Sequence, residues 1–312
     1  MKPALSVIFL TVLGGAGYGL WCFLGAALAL GMYPYGRGSV LVPLGFGFVL
    51  VTAGLIASTL HLGRPERAWR ALTQWDSSWL SREGLAALTT YLPVLLVAGL
   101  ARGHNLFPPT RAAGAVLTAC SLVTLVCTAR IYTSLKPIRA WRDPHVLPLY
   151  LLFALLSGGL WLWTYLAFDT GSHPPWFPLV LALLGVAAAG MKIDYWRAID
   201  RAPAVTAGEA TGLDRFGRVR AFEGPATEES YLTREMAFVL ARKHSRRLRV
   251  LAIVLFCAVP LAVIAIAWPL SWQWIAPVAA LSCLAGLFVE RWLFFAEARH
   301  AVAAFFPQRR PA

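Results

Sequence analysis

His61 and Glu83 bracket a stretch in which proton chemistry meets a hydrocarbon environment. From His61 to Glu83 the chain carries one histidine, four arginines, three tryptophans and two glutamates, lodged between two long apolar runs. Ionisable side chains beside hydrocarbon are costly to desolvate, so a cluster at a bilayer edge demands a reason. A histidine titrating near neutrality and a partly buried carboxylate can both take and give protons. A quinone ring exchanges two electrons and two protons, and needs partners for its oxygens and a proton acceptor. His61 and Glu83 meet that requirement. The plainer reading of the same pair is a capping histidine and a glutamate stabilised by a helix dipole. Tyr132, in Arg130-Ile-Tyr-Thr, can add a hydroxyl to a pocket on the same side or serve as an interfacial aromatic.

Other chemistries fit less well. The five cysteines (Cys22, Cys120, Cys127, Cys257, Cys283) lie inside apolar runs without Cys-x-x-Cys or ferredoxin-type spacing. They read as small buried hydrophobes, and the chain is expected to hold no iron–sulfur cluster or other metal. Haem b needs histidines facing each other inside the membrane, whereas His61, His104, His145, His173, His244 and His300 fall at span ends or in loops. A stand-alone transporter is the distant alternative, but the spans carry almost no charge at mid-membrane. Glu290 and Arg291 are adjacent, so the helical rule of neighbouring faces does not make them an ion pair.

The elements that must position these residues are transmembrane helices. Hydrophobic residues make up 58% of the 312 and charged ones 14%, with a mean hydropathy of +0.63. A soluble domain would carry about 25% charged residues. The expected fold is an all-α integral membrane bundle of eight spans, near 4–30, 39–60, 84–101, 111–131, 146–168, 175–192, 249–270 and 272–296. Lys2 and the first run imitate a signal peptide, but the run is too long, and Gly15-x-x-x-Gly19 suits close helix packing. After the second span, Gly63 and Pro65 end one helix and start a short interfacial one, with Ala68, Trp69, Leu72 and Trp75 as its apolar stripe. That linkage brings His61 and Glu83 to similar depth. The connection 193–248 ends in an amphipathic helix feeding the seventh span.

The net charge of +13 is one-sided. Of 28 Lys and Arg, 25 flank the same side, and only Arg37, Arg102 and Arg111 fall on the other. The positive-inside rule then puts both termini and the 61–83 loop in the cytoplasm. Arginines that anchor lipid headgroups or dock a partner produce the same asymmetry. Nucleic-acid binding is not expected, because the charge sits in membrane-flanking loops.

His61-Leu-Gly-Arg-Pro, Ser77-Ser-Trp-Leu-Ser-Arg-Glu83, Ala129-Arg-Ile-Tyr132 and Glu290-Arg-Trp-Leu-Phe-Phe-Ala-Glu-Ala-Arg299 resemble the membrane-anchor subunit of dimethyl sulfoxide reductase-like enzymes, the DmsC family. Glu235-Met-Ala-Phe and Ala241-Arg-Lys-His are similar to that family's sixth connection. The resemblance spans essentially the whole chain. It implies an eight-span anchor in a bacterial inner membrane that holds no metal centre itself. Such an anchor binds quinone or quinol beside a ferredoxin-like iron–sulfur subunit with [4Fe-4S] clusters, which wires it to a molybdopterin catalytic subunit. It implies quinone-site roles for His61 and Glu83, and by motif position for Arg64. Arg67, Arg70, Arg139, Arg218 and Arg220 are then the expected subunit-docking residues. Arg67-Ala-Trp-Arg and Ser77-Ser-Trp-Leu-Ser-Arg look closer to a sulfite-oxidising branch that reduces quinone. The alternative is a quinol-oxidising anchor of a dimethyl sulfoxide reductase.

Overall fold

A backbone in lipid can satisfy its polar groups only within its own helix or a closed barrel, and this chain takes the helical solution. The computed structural model describes residues 4–33, 36–60, 64–103, 105–169, 174–203, 205–219, 240–270 and 273–305. Among the described residues, eight helices are long and apolar enough to cross a membrane: α1 (Leu5–Ala29), α2 (Arg37–Thr59), α3 (Trp79–Leu100), α4 (Pro108–Thr133), α5 (Val146–Asp169), α6 (Trp176–Arg201), α7 (His244–Ala267) and α8 (Ala276–Ala296). The all-α membrane bundle is thus as expected. Prolines in the first turn open α4 and α8, where the missing amide donor is harmless. Pro43 lies inside α2 and cannot bond the carbonyl of Ser39. Tyr33 donates its hydroxyl to that carbonyl at 2.6 Å, closing the gap.

Helix α1 is the hub, packed against α2, α4 and α5; α3 lies on α4, and α8 lies on α5 and α7. Small residues let these backbones approach. A Cβ on Gly19 would stand 1.8 Å from the carbonyl oxygen of Ala154, and one on Gly158 2.0 Å from the amide nitrogen of Leu20. Lipid offers helices no hydrophobic drive to associate, so such close packing carries much of the cohesion. Trp21 adds a buried hydrogen bond, donating to the Leu44 carbonyl at 3.0 Å.

Two helices differ from their expected bounds in ways that matter. Helix α3 starts at Trp79 rather than 84, which puts Glu83 a turn inside it. Arg82 ties this start to the preceding turn by donating to the carbonyls of Trp75 and Asp76. Helix α6 continues past 192 to Arg201, because Tyr195 and Trp196 still pack inward while Asp194 and Arg197 pair outward at 3.0 Å.

The short element after α2 is a 3-10 helix, Pro65–Gln74, that packs on α3. Its threefold winding aligns Trp69, Leu72 and Trp75 and leaves Ala68 off that ridge. Both tryptophans are 61% exposed. Upstream of the seventh span, helix begins at Leu240. The expected stretch before it, 231–239, lies outside the described residues, as do Gly63 and Lys2.

Candidate functional site

Glu83 faces α4 from the second turn of α3. Its Oε1 accepts from Thr128 Oγ1 at 3.2 Å, and Thr128 also lies 3.0 Å from the carbonyl of Thr124. Among the described residues, Thr128 is the one hydrogen-bond donor to this carboxylate. A buried carboxylate with only structural duties is normally saturated with donors. Glu83 instead keeps acceptor capacity turned toward a cavity.

That cavity lies where α1, α2, α3, α4, α5 and α8 converge, and measures about 20 Å³. Leu10, Leu55 and Leu125 supply apolar wall; Glu83, Arg291, Tyr18 and Ser157 supply polar groups. The Ser157 hydroxyl is consumed by its own helix, donating to Phe153 at 2.7 Å. Tyr18 is buried, and its hydroxyl has no hydrogen-bond partner among the described residues. Orphaned buried hydroxyls cost free energy and call for an explanation. The α1 wall is a π turn, Leu10–Gly14, a geometry frequent at functional sites.

Behind the cavity lies a charge cluster that the sequence pattern does not announce. Lys192 Nζ stands 2.5 Å from Glu290 Oε1, and Arg291 Nε 3.1 Å from Glu290 Oε2. The adjacent Glu290 and Arg291 are therefore an ion pair after all. The neighbouring-face rule describes side chains that water can separate. In this wedge between α5, α6 and α8 there is no competing solvent, so the long arginine folds back to its neighbour. Aromatic faces complete the surroundings, with Arg291 centred 3.8 Å over Tyr150 and Lys192 4.2 Å over Tyr195. The available signal was a lysine flush against the sixth apolar run. Ending that run at 192 makes Lys192 look like a terminal residue.

At the same end of the bundle, Arg249 bridges Asp200 at 2.6 Å and Glu297 at 2.9 Å. Burial pushes the Glu297 carboxyl above the usual carboxylate range, against the pull of Arg249. These three residues with Arg139, Asp143 and Arg299 line a wider pocket of about 510 Å³.

A buried, under-bonded carboxylate and a fixed arginine around one cavity narrow the class of protein, and known proteins narrow it further. A model of the DMSO reductase anchor subunit (DmsC) family matches residues 1–296. The chain belongs to this family. A sulfite dehydrogenase subunit of Allochromatium vinosum is similar to it, 32% identical over 96% of this chain and 97% of its own. This DmsC-family protein is a multi-pass membrane anchor within a molybdoenzyme complex, and so a subunit of an oxidoreductase.

In this anchor the expected site residues are dispersed among several settings. His61 and Arg220 lie outside the described residues. Glu83 is in the cavity wall. Tyr132 sits one layer back, buried among Trp141, Phe294 and Phe295 and stacked 5.6 Å from Tyr150, which does line the cavity. Arg64, Arg67, Arg70 and Arg218 are exposed. Arg139 is half-exposed and already engaged, donating to the carbonyl of Pro203 at 3.2 Å and pairing with Glu209.

Proposed function

We propose that this anchor is the quinone-reactive subunit of its complex, with the ring held between His61 and Glu83 at the arginine-rich end of α2 and α3. The observation that carries the reading is Glu83, a buried carboxylate with spare acceptor capacity in the wall of a cavity that also holds an orphaned tyrosine hydroxyl. Apolar walls with a few convergent polar groups suit a ring bearing two oxygens. The cavity of about 20 Å³ has room for one water, so a ring enters as the wall opens. Gly14 in the π turn and Gly15 just after it make α1 the wall with least side chain to displace.

The direction we favour is sulfite oxidation, supported by the name of the relative from Allochromatium vinosum. In that direction the molybdopterin and iron–sulfur subunits would supply the two electrons released as sulfite and water become sulfate, and quinone would take them up with two protons to give quinol. Glu83 exchanges those protons with the cytoplasmic side, and Arg64 orients the ring. The exposed Arg67, Arg70 and Arg218 offer a docking surface for the iron–sulfur subunit on that side. The reverse reading, quinol oxidation for a terminal reductase, is favoured by the family's own description.

The test uses the three-subunit complex purified from native membrane. His61→Ala and Glu83→Gln should assemble and keep artificial-dye activity, yet lose quinone-linked turnover by about 10²–10⁴, the usual contribution of a positioned proton acceptor. Full quinone-linked turnover in both variants would falsify the assignment.

A further inference from the structure

We propose that Arg291 is the cationic partner of Glu83 across the cavity, holding the ring oxygen on which negative charge builds, with Glu290 and Lys192 as its positioning residues. The inference rests on the quinone reading above.

Four charged side chains are buried among the described residues: Glu83 at 6% exposure, Lys192 at 1%, Glu290 at 0% and Arg291 at 4%. Two are acids and two are bases. Glu290 is shared by Lys192 and Arg291, and Lys192 also lies in the field of Glu297, whereas Arg291 shares the cavity lining with Glu83. The cavity is thus lined by one buried acid, on α3, and one buried base, on α8.

Arg291 is also held in one place. Its Nε is paired to Glu290 at 3.1 Å and its guanidinium lies on the Tyr150 ring, while Lys192 grips the other Glu290 oxygen at 2.5 Å. Packing alone gives no reason for this arrangement, because replacing a buried ion cluster with apolar residues of similar volume is often neutral or stabilising. A fixed cation at a cavity wall, beside the orphaned Tyr18 hydroxyl, has a chemical use. When electrons reach a ring ahead of protons, charge accumulates on an oxygen, and a preorganised donor stabilises it without reorganising. Arginine does not give up its proton. The labour divides accordingly: Glu83 moves protons, and Arg291 holds charge.

The experiment compares binding of two ligands to the purified three-subunit complex, followed by quenching of tryptophan fluorescence. The first is 2-hydroxy-1,4-naphthoquinone, an anion at neutral pH; the second is its methyl ether, the same ring without the charge. The wild-type complex should prefer the anion by about tenfold or more, as a charge-assisted hydrogen bond allows. Arg291→Gln should abolish the preference by weakening the anion about tenfold or more beyond any loss for the ether, and Arg291→Lys should restore part of it. Glu83→Gln should strengthen the preference by removing repulsion. If Arg291→Gln does not assemble, the double variant Lys192→Met/Glu290→Gln is read instead. It removes one charge of each sign and leaves Arg291 without its anchor, and the preference should again drop by about tenfold. An undiminished preference in the variant that is read overturns the proposal. Wild type binding both ligands equally also overturns it, with the quinone reading intact. Wild type binding neither brings down both.

Discussion

Lys192, Glu290 and Arg291 behave as a unit because none of them can be hydrated where they sit. Removing the shared acid of such a set leaves two like charges unpaired, whereas removing the acid with one base leaves a single one. Glu290→Gln alone should therefore destabilise the protein by about 3–5 kcal/mol, since it takes the shared acid from Lys192 and Arg291. Adding Lys192→Met should recover part of that loss, which thermal unfolding of the purified complex will show. Equal losses in the single and double variants would mean that the groups are not coupled. His61 and Glu83 stood out in the sequence as candidates because charged groups stood against apolar runs. The pairing of Glu290 with Arg291 was not, since adjacency in a helix says nothing about how long side chains fold in a wedge closed by other helices.

Within helix α1, two kinds of glycine have different duties. Gly19 meets the α5 backbone, and any side chain there would run into the Ala154 carbonyl. Gly14 is set in the π turn, and the nearest atom to a Cβ there is a Tyr18 ring carbon at 3.9 Å. Gly19→Leu should abolish accumulation of the anchor in membranes, since overpacking of about 1–3 kcal/mol is the mild case and backbone contact is worse. Gly14→Leu should accumulate and keep dye-linked activity, yet lower quinone-linked turnover by about tenfold or more by filling the cavity. Wild-type quinone kinetics in Gly14→Leu would place ring access elsewhere. Gly15-x-x-x-Gly19 was readable as a packing motif, and Gly19 does make the close approach. The π turn was not readable, because a one-residue change of winding leaves the apolar pattern intact.

Across the bundle, an even number of spans returns the chain to the side where it began, so the 61–83 loop shares a face with both ends. By sequence position 25 of the 28 basic residues belong to that side, Lys192 and Arg291 being drawn into the bundle, and the positive-inside rule predicts that the side is cytoplasmic. Reporter fusions after Pro109 and after Arg218 should land on opposite sides, with Arg218 cytoplasmic. A periplasmic signal at Arg218 would remove the main support for a cytoplasmic sulfite-oxidising assembly.

The class and the eight spans could be read from the linear chain, and Glu83 stood out there as a candidate. Burying a peptide in lipid leaves few options, and charged residues near it stand out. Family motifs were equally legible, being runs of identity rather than arrangements. Where Glu83 points, what faces it, and which side chains share its cavity came about only when six helices met. Arg291 lies more than two hundred positions away in the chain, and only close packing through Gly19 and Gly158 brings α1 and α5 near enough to frame the space they share.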